Sequence, residues 1–508
     1  MLARTGSVAL RGVDAHLVDV EVDVTTGIPK FTVVGLPAKS ITEAEQRIRS
    51  ALDVSSERWP PLRKVINLAP AGLRKEGTHF DLPIAIGLLG ADKRIPGEAV
   101  ADWILMGELA LDGSIRPVRG VLAAALACRA SGRRGLVCPF ANAAEAAIVE
   151  GIEVVPVSTL RECVEFFENK WRPTEFPEAR QLPSVTVEDM NEVRGQDAAK
   201  EALEIAAAGG HNVLLSGPPG SGKTMLARRL PGILPPMAAE EAVEVTRIHS
   251  IAGLLPTGVS LVGSRPFRAP HHHVSLAGLI GGGPRAGIPG EITLAHHGVL
   301  FLDELPLFKR EALESLRGPV EEGTVRVVRM AGAVTYPCRF TLIGAENPCP
   351  CGYLGDSQKV CRCSELQLSN YRNRLSGPLR DRFDMEIGME RLTRNDLLGS
   401  PPTEPSAEIR TRVEAARVLQ SQRYGSAVDT NASVPKRALD RTIGMTGAAR
   451  FALGNAIESL CLTGRGVARV MRVARTVADL AGNLEVEDVH VMRALGLRLG
   501  ATTKEVAA

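Results

Sequence analysis

A glycine-rich loop near the middle of the chain carries the residue types that bind phosphate. It consists of Gly217, Pro218, Pro219, Gly220, Ser221, Gly222, Lys223 and Thr224, a full match to the pattern G-x-x-x-x-G-K-[ST]. Glycines let backbone N–H groups converge on phosphate oxygens, Lys223 can reach the β- and γ-phosphates, and the Thr224 hydroxyl can bind Mg²⁺. An apolar run at residues 213–215 and a helical pattern at residues 225–230 flank the loop. This context favours a strand, an ATP-binding loop and a helix over a chance Gly–Pro turn.

Two adjacent carboxylates follow a second apolar run. Residues 299–302 are Val, Leu, Phe and Leu, and Asp303 and Glu304 come next. Open α/β sheets bind ligands at the carboxyl ends of their strands. We therefore expect Asp303 to hold Mg²⁺ through its water shell and Glu304 to polarise the attacking water. A helix cap is the alternative interpretation of the two acids, and the phosphate loop upstream favours the catalytic one.

A third strand-like run, residues 339–345, ends at Glu346 and Asn347. An asparagine amide beside the γ-phosphate can orient the lytic water without adding charge. A turn at Asn347 and Pro348 is the alternative.

Residues 321–332 are typical of a β-hairpin, and they contain Arg326 and Arg329. Both arginines could bind DNA phosphates, and such contacts would make affinity depend on salt. A surface hairpin with solvated arginines is the alternative.

Four cysteines lie within fifteen residues: Cys349, Cys351, Cys361 and Cys363. Tetrahedral Zn²⁺ takes four sulfur ligands, although the C-x-C spacing is tighter than the usual C-x₂₋₄-C. We expect a structural zinc site, with free thiols and redox sensing as alternatives.

Three consecutive histidines, His271, His272 and His273, lie in an insertion at residues 248–283. Consecutive residues on regular structure do not point to one centre, so we expect phosphate contact or subunit packing rather than metal binding.

The elements that must position these residues fall into several domains, because 508 residues are too many for one core. Residues 1–172 have a mixed α/β pattern, with an alternating strand at 18–24, helices at 41–52 and 121–130, and a short strand at 135–138. Residues 173–190 contain three prolines and are typical of a linker. Residues 191–395 alternate strands and helices, which predicts a parallel, doubly wound sheet. Residues 396–508 are helical in pattern.

Composition narrows the functional classes. The formal net charge of +2 offers no overall basic field, so any DNA contact must come from local patches. No apolar run reaches the length of a membrane span, and the N-terminus has no signal-peptide pattern. We therefore expect a cytoplasmic protein without membrane contact, in which the nine cysteines are free thiols or metal ligands.

The whole chain resembles the ComM/YifB family, and its central part resembles magnesium-chelatase-type AAA+ ATPases. The stretches that carry this resemblance are residues 195–196 through 206–211, 265–272, 281–283, 289–291, 296–298 and 347–352. The resemblance implies an α/β AAA+ core with a helical lid. It also implies that Asn347 is the sensor-1 residue, that Arg382 (with Arg374 as second candidate) is an arginine finger acting in an oligomeric ring, and that Arg465 is sensor 2. Departures near Gly464 and Val467 weaken this last assignment, and a purely structural helix is its alternative.

Residues 1–172 resemble the α+β C-terminal domain of Lon proteases. The cues are residues 75–83 and 107–113. A proteolytic Ser–Lys dyad is missing, because Ile84 stands where the serine belongs and Val121 and Leu122 occupy the region of the lysine. We interpret this domain as a non-proteolytic scaffold or DNA-facing module.

The family resemblance implies a hexameric, ATP-driven motor that promotes branch migration during natural transformation. Its partners would be single-stranded and branched DNA, other copies of the chain and a recombinase. A protein-remodelling chaperone of magnesium-chelatase type is the alternative, and an ATP-dependent protease is disfavoured by the missing dyad.

Overall fold

The structure is a computed structural model. It describes residues 2–177, 180–181, 188–282, 288–329, 332–356, 358–394, 404–426 and 429–498. Three units follow one another along the chain: an N-terminal α/β unit, a central α/β unit and a C-terminal helical unit.

A seven-stranded mixed sheet forms the N-terminal unit. Its strand order is Phe31–Val34, Arg63–Ala69, Asp14–Thr25, Leu2–Arg11, Trp103–Leu105, Gly135–Pro139 and Glu153–Val157. The alternation predicted at residues 18–24 is confirmed, since Val18, Val20, Val22 and Val24 are all buried. Glu108–Leu109 and Ile115–Arg116 form a separate small ladder.

The described part of the N-terminal unit contains seven α-helices. They are Lys39–Thr42, Ala44–Val54, Asp81–Ala91, Gly97–Ala101, Val121–Ala130, Ala143–Ala146 and Leu160–Phe167. The single helix predicted at residues 41–52 is instead two helices separated at Glu43. At this junction the Glu43 N–H bonds to the carbonyls of Lys39 and Ile41.

The central unit is built on a five-stranded parallel sheet. Its strand order is Phe267–Arg268, Val299–Leu302, Thr341–Glu346, Val213–Ser216 and Met385–Gly388, with every neighbouring pair parallel. The predicted parallel sheet is confirmed and is consistent with a P-loop core of AAA+ type. Because the strands are parallel, the loops after Ser216, Leu302 and Glu346 lie at the same edge.

Helices surround this sheet. They are Asp197–Gly209, Lys223–Ile233, Ala239–Ala252, Leu276–Ile280, Glu291–Leu294, Arg310–Ser315, Arg317–Glu322, Glu365–Arg372 and Gly377–Arg380. An antiparallel hairpin was predicted at residues 321–332. It is formed instead by Thr324–Arg329 and Gly332–Pro337, because residues 321–322 end the helix Arg317–Glu322. Arg180–Gln181 pairs with Val259–Leu261.

The regular elements described for the C-terminal unit are all helical. They are Ser406–Tyr424, Leu439–Thr442, Gly447–Ser459, Gly464–Leu480 and Asp488–Arg498. Short 3₁₀ turns occur at Phe140–Asn142, Met190–Glu192, Leu305–Leu307, Asn431–Ser433 and Lys436–Ala438. The apolar faces of the α-helices of the C-terminal unit share one core with the helix Asp197–Gly209 of the central unit. Within the described residues, no helix combines the length and apolar character needed to cross a bilayer.

The N-terminal unit packs on the central unit at two places. Val13, in the turn between the first two strands, is buried in the same core as Val327 and Tyr336 of the hairpin. The Arg11 guanidinium donates to the Ala333 carbonyl at 3.1 Å. At the second place of contact between the two units, the Gly120 N–H donates to the Ser250 hydroxyl at 3.1 Å.

Candidate active site

The phosphate-binding loop joins the strand Val213–Ser216 to the helix Lys223–Ile233. Gly220 and Gly222 have φ of +80° and +93°, a region that other residues rarely adopt. At Gly217, a Cβ atom would come within 2.5 Å of the Met389 carbonyl oxygen. The glycines therefore let the backbone turn tightly at the carboxyl edge of the sheet.

Lys223 is buried over this loop, with 9% of its surface exposed. Its ammonium group donates to the carbonyls of Gly217 (2.6 Å) and Pro218 (3.0 Å) and to the Asn347 amide oxygen at 3.2 Å. Burial lowers the pKa of Lys223, and the nearby carboxylates of Asp303 and Glu304 oppose that shift. The contact with Asn347 brings together the phosphate loop and the end of the strand Thr341–Glu346, as the sequence predicted.

Thr224 and Asp303 connect the phosphate loop to the pair of carboxylates that follows the strand Val299–Leu302. The Thr224 hydroxyl donates to one Asp303 carboxylate oxygen at 2.7 Å, and the other oxygen accepts the Glu304 N–H at 2.9 Å. A hydroxyl and a carboxylate at this spacing are oxygen ligands of the kind that Mg²⁺ binds beside nucleotide phosphates. These residues therefore fit the expected metal.

Glu304 follows directly with a φ of +51° and a side chain that is 51% exposed. Its carboxylate is 3.5 Å from Nδ1 of His272. The sequence analysis missed this contact. The run of three histidines was its only signal, and the expectation that they cannot converge was wrong because residues 269–274 are not in regular structure. The ring nitrogens of His271, His272 and His273 lie within 4.8 Å of one another.

Gln196 is a second residue whose role the sequence analysis missed. Its amide donates to the Ser221 carbonyl at 3.1 Å and to the Glu390 carbonyl at 2.7 Å. It therefore ties the phosphate loop to the segment after the strand Met385–Gly388. The only signal was its place in the Gly195–Gln196 pair of the family resemblance.

The four cysteines lie directly after Asn347, beside the phosphate loop. The Sγ atoms of Cys349 and Cys351 are 3.3 Å apart, and those of Cys349 and Cys361 are 3.7 Å apart. All four Sγ atoms, including that of Cys363, lie within 4.8 Å of one another. The structure thus brings the whole predicted set together.

Comparisons with known proteins identify the family. The profile "Magnesium chelatase, subunit ChlI" matches residues 189–397, "Subunit ChlI of Mg-chelatase" matches residues 20–142, and "Magnesium chelatase, subunit ChlI C-terminal" matches residues 403–498. The competence protein ComM of Haemophilus influenzae is 40% identical over 507 residues, which cover 98% of this chain and 97% of that protein. The chain belongs to the ComM/YifB family. The protein YifB of Escherichia coli is 39% identical over 96% of each chain, and an uncharacterized protein of Mycobacterium tuberculosis is 41% identical over 98% of each.

Membership of the ComM/YifB family also relates the chain to magnesium chelatases. The magnesium-chelatase 67 kDa subunit of Chlorobaculum parvum is 29% identical over 163 residues, which are 31% of this chain and 23% of that protein. A magnesium-chelatase-like protein of AAA+ type implies the use of ATP and Mg²⁺, which agrees with the geometry around Lys223.

Of the two arginine-finger candidates expected from the ComM/YifB resemblance, Arg382 is 7% exposed. Its guanidinium pairs with Glu321 at 2.8 Å and donates to the Pro378 carbonyl at 3.2 Å. An arginine finger at Arg382 would have to break the ion pair with Glu321 in order to reach another copy of the chain. The second candidate, Arg374, is exposed and donates to the Pro306 carbonyl at 3.3 Å.

Arg465, the sensor-2 candidate, is exposed near the start of the helix Gly464–Leu480. One turn on, Arg469 lies 3.7 Å from both Asp381 and Asp384, which precede the strand Met385–Gly388. The phosphate loop follows the opposite end of the adjacent parallel strand. Arg469 therefore lies at the end of the sheet opposite the phosphate loop, and the sensor-2 role of Arg465 stays a prediction.

The hairpin carries the predicted DNA contacts. Val325 and Val327 are buried on its inner face, whereas Arg326 is exposed between them. The side chain of Arg329 lies outside the described residues. The alternation places Arg326 on the solvent side of a hairpin whose other face is fixed to the protein.

Proposed function

We propose that the chain is an ATP-hydrolysing motor that acts on DNA and, as a hexamer, promotes branch migration of recombination intermediates. The convergence of Lys223, Thr224, Asp303, Glu304 and Asn347 at one edge of the central sheet carries the ATPase part of this proposal. The similarity to competence protein ComM of Haemophilus influenzae supports a role in integrating transforming single-stranded DNA.

Each residue has a role in this proposal. Backbone N–H groups at residues 217–224 and the Lys223 ammonium bind the phosphates, and Asn347 orients the attacking water. Glu304 accepts that water's proton, since its carboxylate is exposed at the strand end beside Asp303. Mg²⁺ held near Thr224 and Asp303 would neutralise charge on the β- and γ-phosphates.

DNA binding is assigned to the hairpin. Arg326 is exposed, and Arg329, whose side chain lies outside the described residues, is the second proposed DNA contact. Because the other hairpin face packs against Val13, a force on the hairpin would be transmitted to the N-terminal unit. A recombinase that supplies the branched substrate is a proposed partner, and the proposed location is the cytoplasm.

The proposed domains are residues 1–172, a Lon-like but non-proteolytic domain; 173–190, a linker; 191–395, the AAA+ ATPase domain; and 396–508, the helical lid. Ile84 lies fully buried in the helix Asp81–Ala91, and Val121 and Leu122 are equally buried. Buried apolar side chains at the positions of the catalytic serine and lysine support the interpretation of this domain as a scaffold rather than a peptidase.

A second candidate function is an ATP-driven chaperone that remodels a protein partner, as a magnesium-chelatase subunit would. The matches to the chelatase profiles over residues 189–397 and 403–498 favour it. The four-cysteine segment and the similarity to ComM along the whole chain favour the DNA motor.

The deciding experiment is the ATPase rate of the purified chain without DNA, and with single-stranded DNA, duplex DNA or a four-way junction, at fixed low salt. We expect the rate to rise most with single-stranded or branched DNA. A matched chain with Lys223→Ala controls for contaminating ATPases. A rate that responds to no DNA would contradict the DNA motor and favour the chaperone.

A further inference from the structure

In its described part, the segment between Asn347 and Glu365 buries little apolar surface. In its described part, no helix or strand lies between the strand ending at Glu346 and the helix beginning at Glu365. Val360 is 87% exposed, and the helix Glu365–Arg372 that follows has no buried residue. Short segments without an apolar core need a cross-link or a metal to hold one conformation.

The cysteine sulfurs supply the geometry of a metal rather than a disulfide. The separations of 3.3, 3.7 and 3.6 Å among Cys349, Cys351 and Cys361 are far longer than an S–S bond. Four thiolates around one zinc ion, with Zn–S near ~2.3 Å, lie roughly 3.8 Å apart. Backbone N–H groups also point at the sulfurs, as the Cys363 N–H does at Cys361 Sγ at 3.5 Å.

This segment also touches the phosphate loop. At Gly352, whose φ is +83°, a Cβ atom would lie 2.6 Å from Cδ of Pro219. Two residues before Cys349, the Asn347 amide accepts the Lys223 ammonium at 3.2 Å. The cysteine segment therefore contacts the nucleotide site through Pro219 and through Asn347.

We propose that Cys349, Cys351, Cys361 and Cys363 bind one structural zinc ion and that this ion holds the phosphate loop in its ATP-binding conformation. Asn347 keeps its contact with Lys223, and Gly352 its contact with Pro219, because the metal fixes the backbone between them. Loss of the zinc ion would break both of these contacts. The zinc site itself is independent of the proposed function, whereas its effect on ATP rests on the proposed nucleotide site.

The first test measures metal content by mass spectrometry on the full-length chain purified without added metal. We expect one zinc per chain in the unmodified protein and in Cys461→Ser, which changes an exposed cysteine outside the cluster. Cys351→Ser combined with Cys363→Ser should lose the zinc. Iron instead of zinc, or no bound metal in a folded chain, would overturn the proposal.

Cobalt substitution tests the unmodified chain and so does not depend on a variant that folds. Co²⁺ bound by four thiolates should show the visible absorption bands of a tetrahedral thiolate centre, and added Zn²⁺ should displace it. Absence of these bands in a chain that keeps its circular dichroism spectrum would overturn the assignment of ligands.

A fluorescent ATP analogue then tests the link to the phosphate loop. Removal of zinc by a chelator should weaken analogue binding at least about tenfold, the scale of losing groups that orient a site, and returned zinc should restore it. Unchanged affinity after verified zinc loss would overturn the link while leaving the metal site. A zinc-loaded chain that binds no nucleotide would instead contradict the proposed ATPase.

Discussion

The Lys223 ammonium connects two strands of the central sheet through its contacts with the phosphate loop and Asn347. Thr224 and Asp303 make the second such connection. Each is a contact between segments far apart in the chain, so single substitutions should separate ATP binding from ATP hydrolysis.

Lys223→Ala should abolish ATP binding, because the loop loses the cation that reaches the phosphates. Glu304→Gln should bind ATP normally but lower kcat by about 10²–10⁴-fold, since an amide cannot accept the water's proton. Equilibrium binding of an ATP analogue and steady-state turnover check both. Nucleotide affinity retained in Lys223→Ala, or normal turnover in Glu304→Gln, would contradict the assigned roles.

We expect His272 to position Glu304, because its Nδ1 lies 3.5 Å from the Glu304 carboxylate. His272→Ala should lower kcat by about fivefold, the effect of losing roughly 1 kcal/mol of interaction with the Glu304 carboxylate, with KM unchanged. His272→Asn, which keeps a donor, should recover part of the rate. His273→Ala is the matched control, because His273 is an exposed neighbour in the same cluster. Equal losses at His272 and His273 would argue against a specific contact.

The hairpin presents a buried face to the protein and an exposed face with Arg326 to solvent. Arg326→Ala should reduce DNA-stimulated turnover and the salt dependence of DNA binding, because one phosphate contact is lost. Basal ATPase should stay the same. Arg310→Ala, which removes a charge from another exposed position of the central unit, is the control. Equal DNA stimulation in Arg326→Ala and in the unmodified chain would remove the hairpin from the DNA surface.

His79 couples the stability of the N-terminal unit to pH. Its ring is fully buried and its Nε2 is 2.8 Å from the Val8 carbonyl, and desolvation lowers its pKa from 6.5 to about 4. The unfolded chain therefore binds more protons between these values. The stabilisation is complete above about pH 6.5 and is lost as pH falls towards 4, by roughly 3 kcal/mol in all.

His79→Gln keeps a donor for Val8 but does not titrate, so its stability should vary less between pH 6.5 and 4. Urea unfolding monitored by tryptophan fluorescence measures this unit selectively, because the chain's three tryptophans, Trp59, Trp103 and Trp171, all lie in it. Parallel pH profiles for the two proteins would exclude His79 as the cause.

If the chain assembles into a ring, one arginine of each subunit should complete the active site of its neighbour, and mixing variants tests which arginine this is. Arg382→Ala should bind ATP but lower turnover by about 10³-fold or more. Mixed with Lys223→Ala, it should regain part of the activity, because one chain then supplies the arginine and the other the phosphate loop. If Arg374→Ala shows this pattern and Arg382→Ala does not, Arg382 serves only its ion pair with Glu321.

The sequence by itself determined those features that depend on neighbouring residues. The phosphate loop needs particular glycines, a lysine and a threonine in consecutive positions, and the strand before it needs only a buried apolar run. The two carboxylates after residues 299–302, the presence of a hairpin beginning within residues 321–332 and the four closely spaced cysteines were predictable for the same reason.

Only the tertiary structure decided which distant segments meet. The strand order places Thr341–Glu346 between Val299–Leu302 and Val213–Ser216, and so brings Asn347 to Lys223. The packing of separate helices buries Arg382 while leaving Arg374 exposed, and it brings Arg469 to Asp381 and Asp384. A pattern of residue types describes one segment at a time, whereas these placements depend on the register and packing of segments remote in the chain.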